Sequence, residues 1–220
     1  MRIALVALIT LMTANAQTTV ATRTITASGN ASISATPDKA MVDIGVSNQA
    51  TTAQDASTQN ATQTASVLAA IRVVLGQDAD VRTVSYSLSP VYSSGNNPTI
   101  IGYAANNTVE ATVTDLSLIG KVIDVSIAAG ANRVNGIRFG LQNSDPLQAQ
   151  ALKAAAASAL SQARAIAAGL GVQIGNVLHA SQGGAALPVA IAAAGPTVTT
   201  PVDPGLIQVQ GSVSVEVEIH

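Results

Sequence analysis

The sequence predicts an α+β fold in which three helices pack on a mixed, largely antiparallel sheet of about seven strands. Several segments alternate between apolar and polar residues, which is typical of strands with one buried and one wet face. Three longer segments carry apolar residues at helical spacing, with capping residues near their ends. The order along the chain is ββαββαβαββ, which favours helices packed on one face of a sheet.

The N-terminal segment has the composition of a secretory signal peptide. Met1-Arg2 supplies a positive start, Ile3 to Met12 is mostly apolar, and Ala14 and Ala16 form a small-residue cleavage site. The apolar run of ten residues is shorter than the roughly 20 that a membrane-spanning helix needs. We expect a signal peptide at residues 1–16, a mature domain at residues 17–220 and no transmembrane span. The alternative is a buried N-terminal strand or helix.

Two strands and a helix follow. Arg23 to Ser34 and Ala40 to Ser47 alternate, with turn residues at 36–38 between them, so we expect these strands to pair as neighbours. The first helix begins after the N-cap Thr52 and ends at Gly76. Its middle, Thr58 to Thr64, is polar, and we expect that stretch to face solvent.

Two further strands come before the second helix. Val84 to Ser89 alternates, and Pro90 confines its end to a sheet edge or a strand terminus. The loop at residues 93–98 leads to a long fourth strand at Ile101 to Val113.

The second helix starts at Thr114-Asp115 and is closed by Gly130. The fifth strand, Val134 to Leu141, holds the only Phe in the chain. Ser144-Asp145-Pro146 then starts an Ala-rich third helix that ends near Leu170.

Two strands and an irregular segment complete the chain. Ile174 to Ser181 is a short strand, and Ile207 to Ile219 alternates throughout. Between them, residues 183–205 are rich in Gly and Pro with an apolar, Ala-rich middle. Because long loops without regular structure are usually functional or disordered, this loop is a candidate contact arm.

Composition excludes several classes of function. The net charge is −2, so no basic surface is available to bind nucleic acid. The chain has no Cys, which excludes disulfides and thiolate chemistry. Only 10% of residues are charged, and a weakly charged surface favours self-association. We therefore expect a homo-oligomer, with a monomer as the alternative because solubility also depends on the size of exposed patches.

No pattern in the sequence indicates an active site. His179 and His220 are the only histidines, so the sequence offers little material for a histidine metal site or a catalytic triad. We predict no catalytic, cofactor-binding or metal-binding residues and no enzymatic activity.

Some charged residues have two interpretations. Asp38 is either a ligand-facing carboxylate or a turn residue that hydrogen-bonds its own backbone. Arg133 and Arg138 could bind an anion, or form ion pairs. Glu216 and Glu218 could be paired carboxylates or part of a wet sheet face. A small-molecule binder or weak enzyme that uses Asp38, Arg133 or Arg138 is thus the alternative function.

Separated segments carry a resemblance to one family. In chain order they are Ile25 to Ala31 with Pro37-Asp38-Lys39-Ala40, Thr83 to Tyr92, Ile101 to Asn106, Gly130 to Phe139, Ala163 to Gly171, and Thr200 to Gly205. Together they resemble the SIMPL-domain family of bacterial proteins over nearly all of residues 22–219. The chain has Leu206 where the family usually has Glu, so a role for that acid is not carried over.

The resemblance implies a compartment more than a mechanism. It implies a periplasmic or outer-membrane-associated protein with a homo-oligomeric state or an envelope protein partner. Some members of the family are linked to oxidative-stress defence and some form ring-like oligomers, but the family has no agreed enzymatic reaction.

Overall fold

The computed structural model describes residues 23–183, 189–191 and 204–220. It confirms the α+β class and the predicted element order, and it adds one short strand. The elements are β1 (Thr24–Ala35), β2 (Lys39–Ala50), α1 (Ala53–Leu75), β3 (Val81–Tyr92), β4 (Ile100–Val113), α2 (Ile119–Ala128), β5 (Arg133–Gly140), α3 (Asp145–Leu170), β6 (Ile174–Gln182), β7 (Val189–Ile191) and β8 (Leu206–Ile219).

The strands divide between two antiparallel sheets. Sheet I has the order β1-β8-β6, and β7 pairs with β8 beside β6. Sheet II has the order β3-β4-β2-β5. Each sheet buries one face against helices of its own, so the domain has two separate apolar cores.

Sheet I packs on α3 at very short range. Gly29 of β1 and Gly211 of β8 lie against the backbone of α3, near Ala155 and Ala151 respectively. The inner stripe of the helix is built from a buried Ala at every fourth position. Its members are Ala151, Ala155, Ala159, Ala163 and Ala167. Because neither surface carries a large side chain there, helix and sheet approach backbone to backbone.

Sheet II packs on α1 and α2. Val42, Ile44 and Val46 of β2 point towards these helices and are buried with Val109 and Val113 of β4. The alternate residues of β2 and β4 therefore lie on the opposite face of the sheet.

The expectation that the first two strands pair with each other is wrong. β1 pairs with β8 along its whole length, whereas β2 lies between β4 and β5. The turn at residues 36–38 carries the chain from one sheet to the other. Alternation fixes which face of a strand is buried, but it does not choose the strand's partner.

The expectation that the middle of α1 faces solvent is also wrong in part. Asn60 and Thr64 are buried, while neighbouring positions of the same segment are exposed. Asn60 is retained in the core because its side chain forms hydrogen bonds with sheet II.

Most of the predicted contact arm at residues 183–205 lies outside the described residues. Its residues 189–191 form β7, which pairs with residues 206–208 of β8. No helix in the described part of the chain is long and apolar enough to cross a membrane.

Candidate functional site

A row of four charged side chains crosses sheet II on the face opposite the helices. Arg82 of β3, Glu110 of β4, Asp43 of β2 and Arg138 of β5 occupy neighbouring positions in the strand register. The two acidic side chains lie on the central strands β4 and β2, and one arginine lies on each outer strand, β3 and β5. We call these four residues the charged row.

Strand alternation places the charged row on this face. Val42 and Ile44 turn inwards, so Asp43 between them turns outwards, and Glu110 does the same between Val109 and Ala111. Asp43 and Glu110 are direct cross-strand partners, and like charges so placed would repel each other. The two arginines remove that repulsion.

Arg138 joins the two carboxylates. Its guanidinium donates to both oxygens of Asp43, at 2.5 and 3.2 Å, and to Oε2 of Glu110 at 2.5 Å. Arg82 donates to the other oxygen of Glu110 from Nε at 3.1 Å and from Nη2 at 2.6 Å. Both oxygens of Glu110 therefore accept charge-assisted hydrogen bonds, which suits a side chain that is only 7% exposed.

The ion pairs hold both guanidinium groups in the charged form. The pKa of Arg82 is raised above its usual value, first by its hydrogen bonds to Glu110. The pKa of Arg138 is raised first by its hydrogen bonds to Asp43. Two positive and two negative charges balance in this row, so its geometry is that of a structural network that ties four strands together.

The three residues of the alternative function do not converge. Arg138 is engaged in the charged row. Arg133 lies five residues away at the other end of β5, roughly 16 Å along a strand, and is exposed. Asp38 accepts from the backbone N–H of Gln142 at 2.6 Å, while the Asp38 carbonyl accepts from Nε2 of Gln142 at 3.0 Å. Asp38 is thus a turn residue bonded to backbone, although the backbone is that of a distant loop.

The remaining candidate carboxylates lie on the outer face of sheet I. Glu216 faces Thr26 on one side and His179 on the other. Glu218 lies 3.8 Å from the Nε2 atom of His220. Ser and Gln side chains surround them along β8, as expected for a wet sheet face. Among the described residues, no three His, Asp or Glu side chains come close enough to hold a metal ion.

A buried amide cluster under α1 was not expected from the sequence. Asn60 donates from Nδ2 to the carbonyls of Val46 and Ala105, at 2.9 and 3.2 Å. Asn48 donates to Gln63 at 2.7 Å beside it. The Oδ1 atom of Asn107, on the same side of sheet II, is buried without a hydrogen-bond partner. An Asn within the polar stretch of a helix was the only signal, and it equally fits a solvated position.

A further surface is apolar and exposed. Tyr86 and Leu88 of β3 lie on the helix side of sheet II and are 50% and 41% exposed, and Ile101, at the irregularity in the pairing of β4 with β3, is 60% exposed. The helix α1 packs over β4 and β2 and meets β3 at Ser57, which accepts a hydrogen bond from the Tyr86 hydroxyl at 3.1 Å. One helix does not cover the long β3–β4 hairpin, so these three residues form what we call the apolar strip.

Comparisons with known proteins agree on one family. The profile of the SIMPL family, described as "Protein of unknown function (DUF541)", matches residues 25–217. The 26 kDa periplasmic immunogenic protein of Brucella melitensis is 30% identical over 164 residues, which is 72% of this chain and 66% of that relative. The uncharacterized protein YggE of Escherichia coli K12 is 29% identical over 154 residues, which is 70% of this chain and 63% of that relative. The chain thus spans slightly less than two thirds of the length of these relatives.

Proposed function

Because the chain belongs to the SIMPL family, we propose that it is an exported periplasmic protein that acts by self-assembly or by binding a partner, without catalysing a reaction. The apolar strip is the observation that carries this proposal. Exposed apolar patches on a soluble domain mark interaction surfaces more often than they mark anything else. The charged row supports the non-enzymatic part, since its groups neutralise one another.

Export is supported by the N-terminal sequence and by the name of a relative. Residues 1–16 have the order of charge, apolar core and small residues that signal peptidase substrates share. The Brucella relative is named as periplasmic. We propose cleavage after Ala16, with association with the outer membrane as a further step. Intact mass of the protein from a periplasmic extract should begin at Gln17, and a mass that retains residues 1–16 would contradict this.

Self-assembly is tested by the absolute mass of residues 17–220. Light scattering coupled to size exclusion at low and high salt should give a discrete oligomer. Because the apolar strip carries no charge, the mass of the oligomer should not fall when the salt concentration is raised. A monomer at both salt concentrations would contradict self-assembly and leave partner binding to be tested by cross-linking in the periplasm.

We also propose a role in envelope or oxidative-stress defence, which rests on the family resemblance. Thiol chemistry is excluded by the absence of Cys, and Met41 is the only methionine of residues 17–220. A deletion strain should be more sensitive to peroxide, and a Met41→Leu copy should restore resistance as well as the wild-type copy does. Failure of that copy alone would show that the protein acts as a chemical scavenger.

A further inference from the structure

We propose that the free edge of β3 pairs with β3 of a second copy, in antiparallel register with Ser87 at the two-fold axis. Sheet II of the two copies then forms one continuous eight-stranded sheet. The inference rests on the proposed self-assembly and names the surface and the partner that carry it out.

Comparison of the free strand edges in the described part of the chain favours β3. The edge of β5 carries Arg133 and Arg138, and charge protects an edge from pairing. The edge strand β1 has its apolar face covered by α3 and a polar outer face. β6 exposes apolar side chains, but its register is broken twice within a few residues. Of these four edges in the described part of the chain, only that of β3 combines a regular stretch with an uncovered apolar face.

The usable part of the β3 edge is short and uncharged. Register irregularities lie between Thr83 and Ser85 and again between Val91 and Tyr92, so residues 85–91 form the regular stretch. The residues in this stretch are Ser, Tyr, Leu, Pro and Val, without charge to repel a second copy. An identical strand is equally uncharged, so a second copy can approach this edge without repulsion.

The position of Pro90 sets which backbone groups face the free edge. Proline has no N–H, and within a sheet it is tolerated where its nitrogen points away from the neighbouring strand. Because backbone groups alternate along a strand, Tyr86 and Leu88 then also turn their N–H and C=O groups to the free edge. Two copies can therefore exchange hydrogen bonds between Tyr86 and Leu88 in both directions.

Side-chain complementarity selects the register. With Ser87 on the axis, Tyr86 of each copy lies opposite Leu88 of the other, and Ser85 lies opposite Ser89. Tyr–Leu contacts then cover the apolar strip on one face while serines meet on the other. A register centred on Leu88 would instead place Leu88 opposite itself and Tyr86 opposite Pro90, and the two Tyr–Leu contacts would be lost.

Cross-linking tests the register directly, because the chain has no Cys of its own. In the proposed dimer, Ser87 of one copy lies opposite Ser87 of the other. These two residues share no backbone hydrogen bonds, and at such positions of an antiparallel sheet the side chains are closest. The Ser87→Cys variant should form a disulfide-linked dimer under mild oxidation. The matched control Ser32→Cys, on the uncharged edge strand β1, should remain uncross-linked.

A charge substitution tests the surface. Leu88→Lys should shift the light-scattering mass from oligomer to a smaller species, since the charge would be buried in the pair. Its control is Val73→Lys, because Val73 is 80% exposed on α1, and this variant should keep the wild-type mass. Circular dichroism of both variants should match the wild type, because both sites are exposed.

The two proposals fail differently. If the wild-type chain assembles, Leu88→Lys assembles equally well and Ser87→Cys gives no linked dimer, then the β3 pairing is wrong and self-assembly stands. If the wild-type chain is monomeric at every concentration tested, self-assembly fails and the pairing fails with it.

Discussion

Asn60 shows how a single polar side chain can hold a helix on a sheet. It is fully buried on α1, and its amide donates to carbonyls of β2 and β4. Replacing this donor removes both hydrogen bonds in a buried setting, where hydrogen bonds that are not made are expensive. The Oδ1 atom of the neighbouring Asn107 is buried without a hydrogen-bond partner, so this region already holds one unsatisfied polar atom.

We expect Asn60→Asp to lower the free energy of unfolding by about 2–4 kcal/mol at pH 7. The introduced carboxylate would face carbonyl oxygens, so its pKa in the folded state should lie above the unfolded value of about 4. The loss should therefore be smallest below pH 4 and grow as pH rises through the folded pKa. Urea unfolding at several pH values measures this, with exposed Asn97→Asp as the control. A loss that does not change with pH would contradict the assignment.

Asp115 gives the opposite sign. Its pKa is lowered because the Ser117 side chain, and then the Ser117 backbone N–H, donates to its carboxylate. The stabilisation is therefore present above the unfolded pKa and is lost as pH falls through the folded pKa. Ser117→Ala should raise the pKa of Asp115 towards its ordinary value in an NMR titration.

For single residues, the sequence predicts the sheet face on which a side chain lies better than it predicts the residues that the side chain contacts. Alternation places Asp43 and Glu110 on the outer face of their strands, and that follows from Val42, Ile44 and Val109 alone. Their ion pairs with Arg82 and Arg138 depend on which strands adjoin, and that is set by contacts far apart in the chain. The same limit hides Asn60, because a polar residue on a helix reveals nothing of the carbonyls opposite it.

At the scale of elements, the contact between α3 and sheet I depends on the absence of side chains. A Cβ atom at Gly29 would lie 2.1 Å from the Ala155 carbonyl oxygen and 2.3 Å from the Ala159 nitrogen. Both are backbone atoms of a long helix, so they cannot move aside one at a time. The Ala stripe of α3 and the glycines of the sheet are therefore one packing surface.

We expect Gly29→Ala to lower the free energy of unfolding by about 3 kcal/mol or more, because α3 must shift as a body. The matched control is Gly169→Ala in the same helix, where an added Cβ meets nothing within 4 Å. Since Ala favours helix over Gly, this control should raise stability by about 0.5 kcal/mol. Thermal and urea unfolding of both variants give the comparison, and equal effects would show that the close approach does not matter.

Local chemistry predicted the elements well for physical reasons. Thr52 caps α1 as expected, with its hydroxyl accepting from the Asp55 N–H, and Gly171 ends α3 in the left-handed conformation. Such caps depend on neighbours in sequence. The pairing of β1 with β8 does not depend on neighbours in sequence. A short turn usually joins two strands that pair with each other, which is why β1 was expected to pair with β2. Here the short turn joins strands of two different sheets.

At the scale of the whole molecule, few contacts in the described part of the chain join sheet I and α3 to sheet II and its two helices. The chain passes between sheets at the turn around Asp38 and again at the loop after β5. Asp38 bonds Gln142 of that loop through both its carboxylate and its carbonyl. This pair of hydrogen bonds holds the two crossings together.

We expect Asp38→Ala to accelerate hydrogen exchange at residues 141–144 and to lower the free energy of unfolding by about 1 kcal/mol. Exchange within the Ala stripe of α3 should change little, since its packing does not involve Asp38. The control Asp124→Ala, on the exposed side of α2, should leave exchange at 141–144 unchanged. Unchanged exchange in Asp38→Ala would show that the two crossings are held by other contacts.

The pairing of the first strand with the last also sets an order of assembly as the chain emerges from its N-terminus to its C-terminus. All four strands of sheet II lie before residue 141, so that half can form before the rest of the chain has emerged. Sheet I cannot, because β1 has no partner until β8 at Leu206–Ile219 has emerged. A chain that has emerged only as far as residue 205 would hold a finished sheet II beside an unpaired β1 and an α3 that lacks part of the sheet on which it packs. The domain is completed by its last fourteen-residue strand.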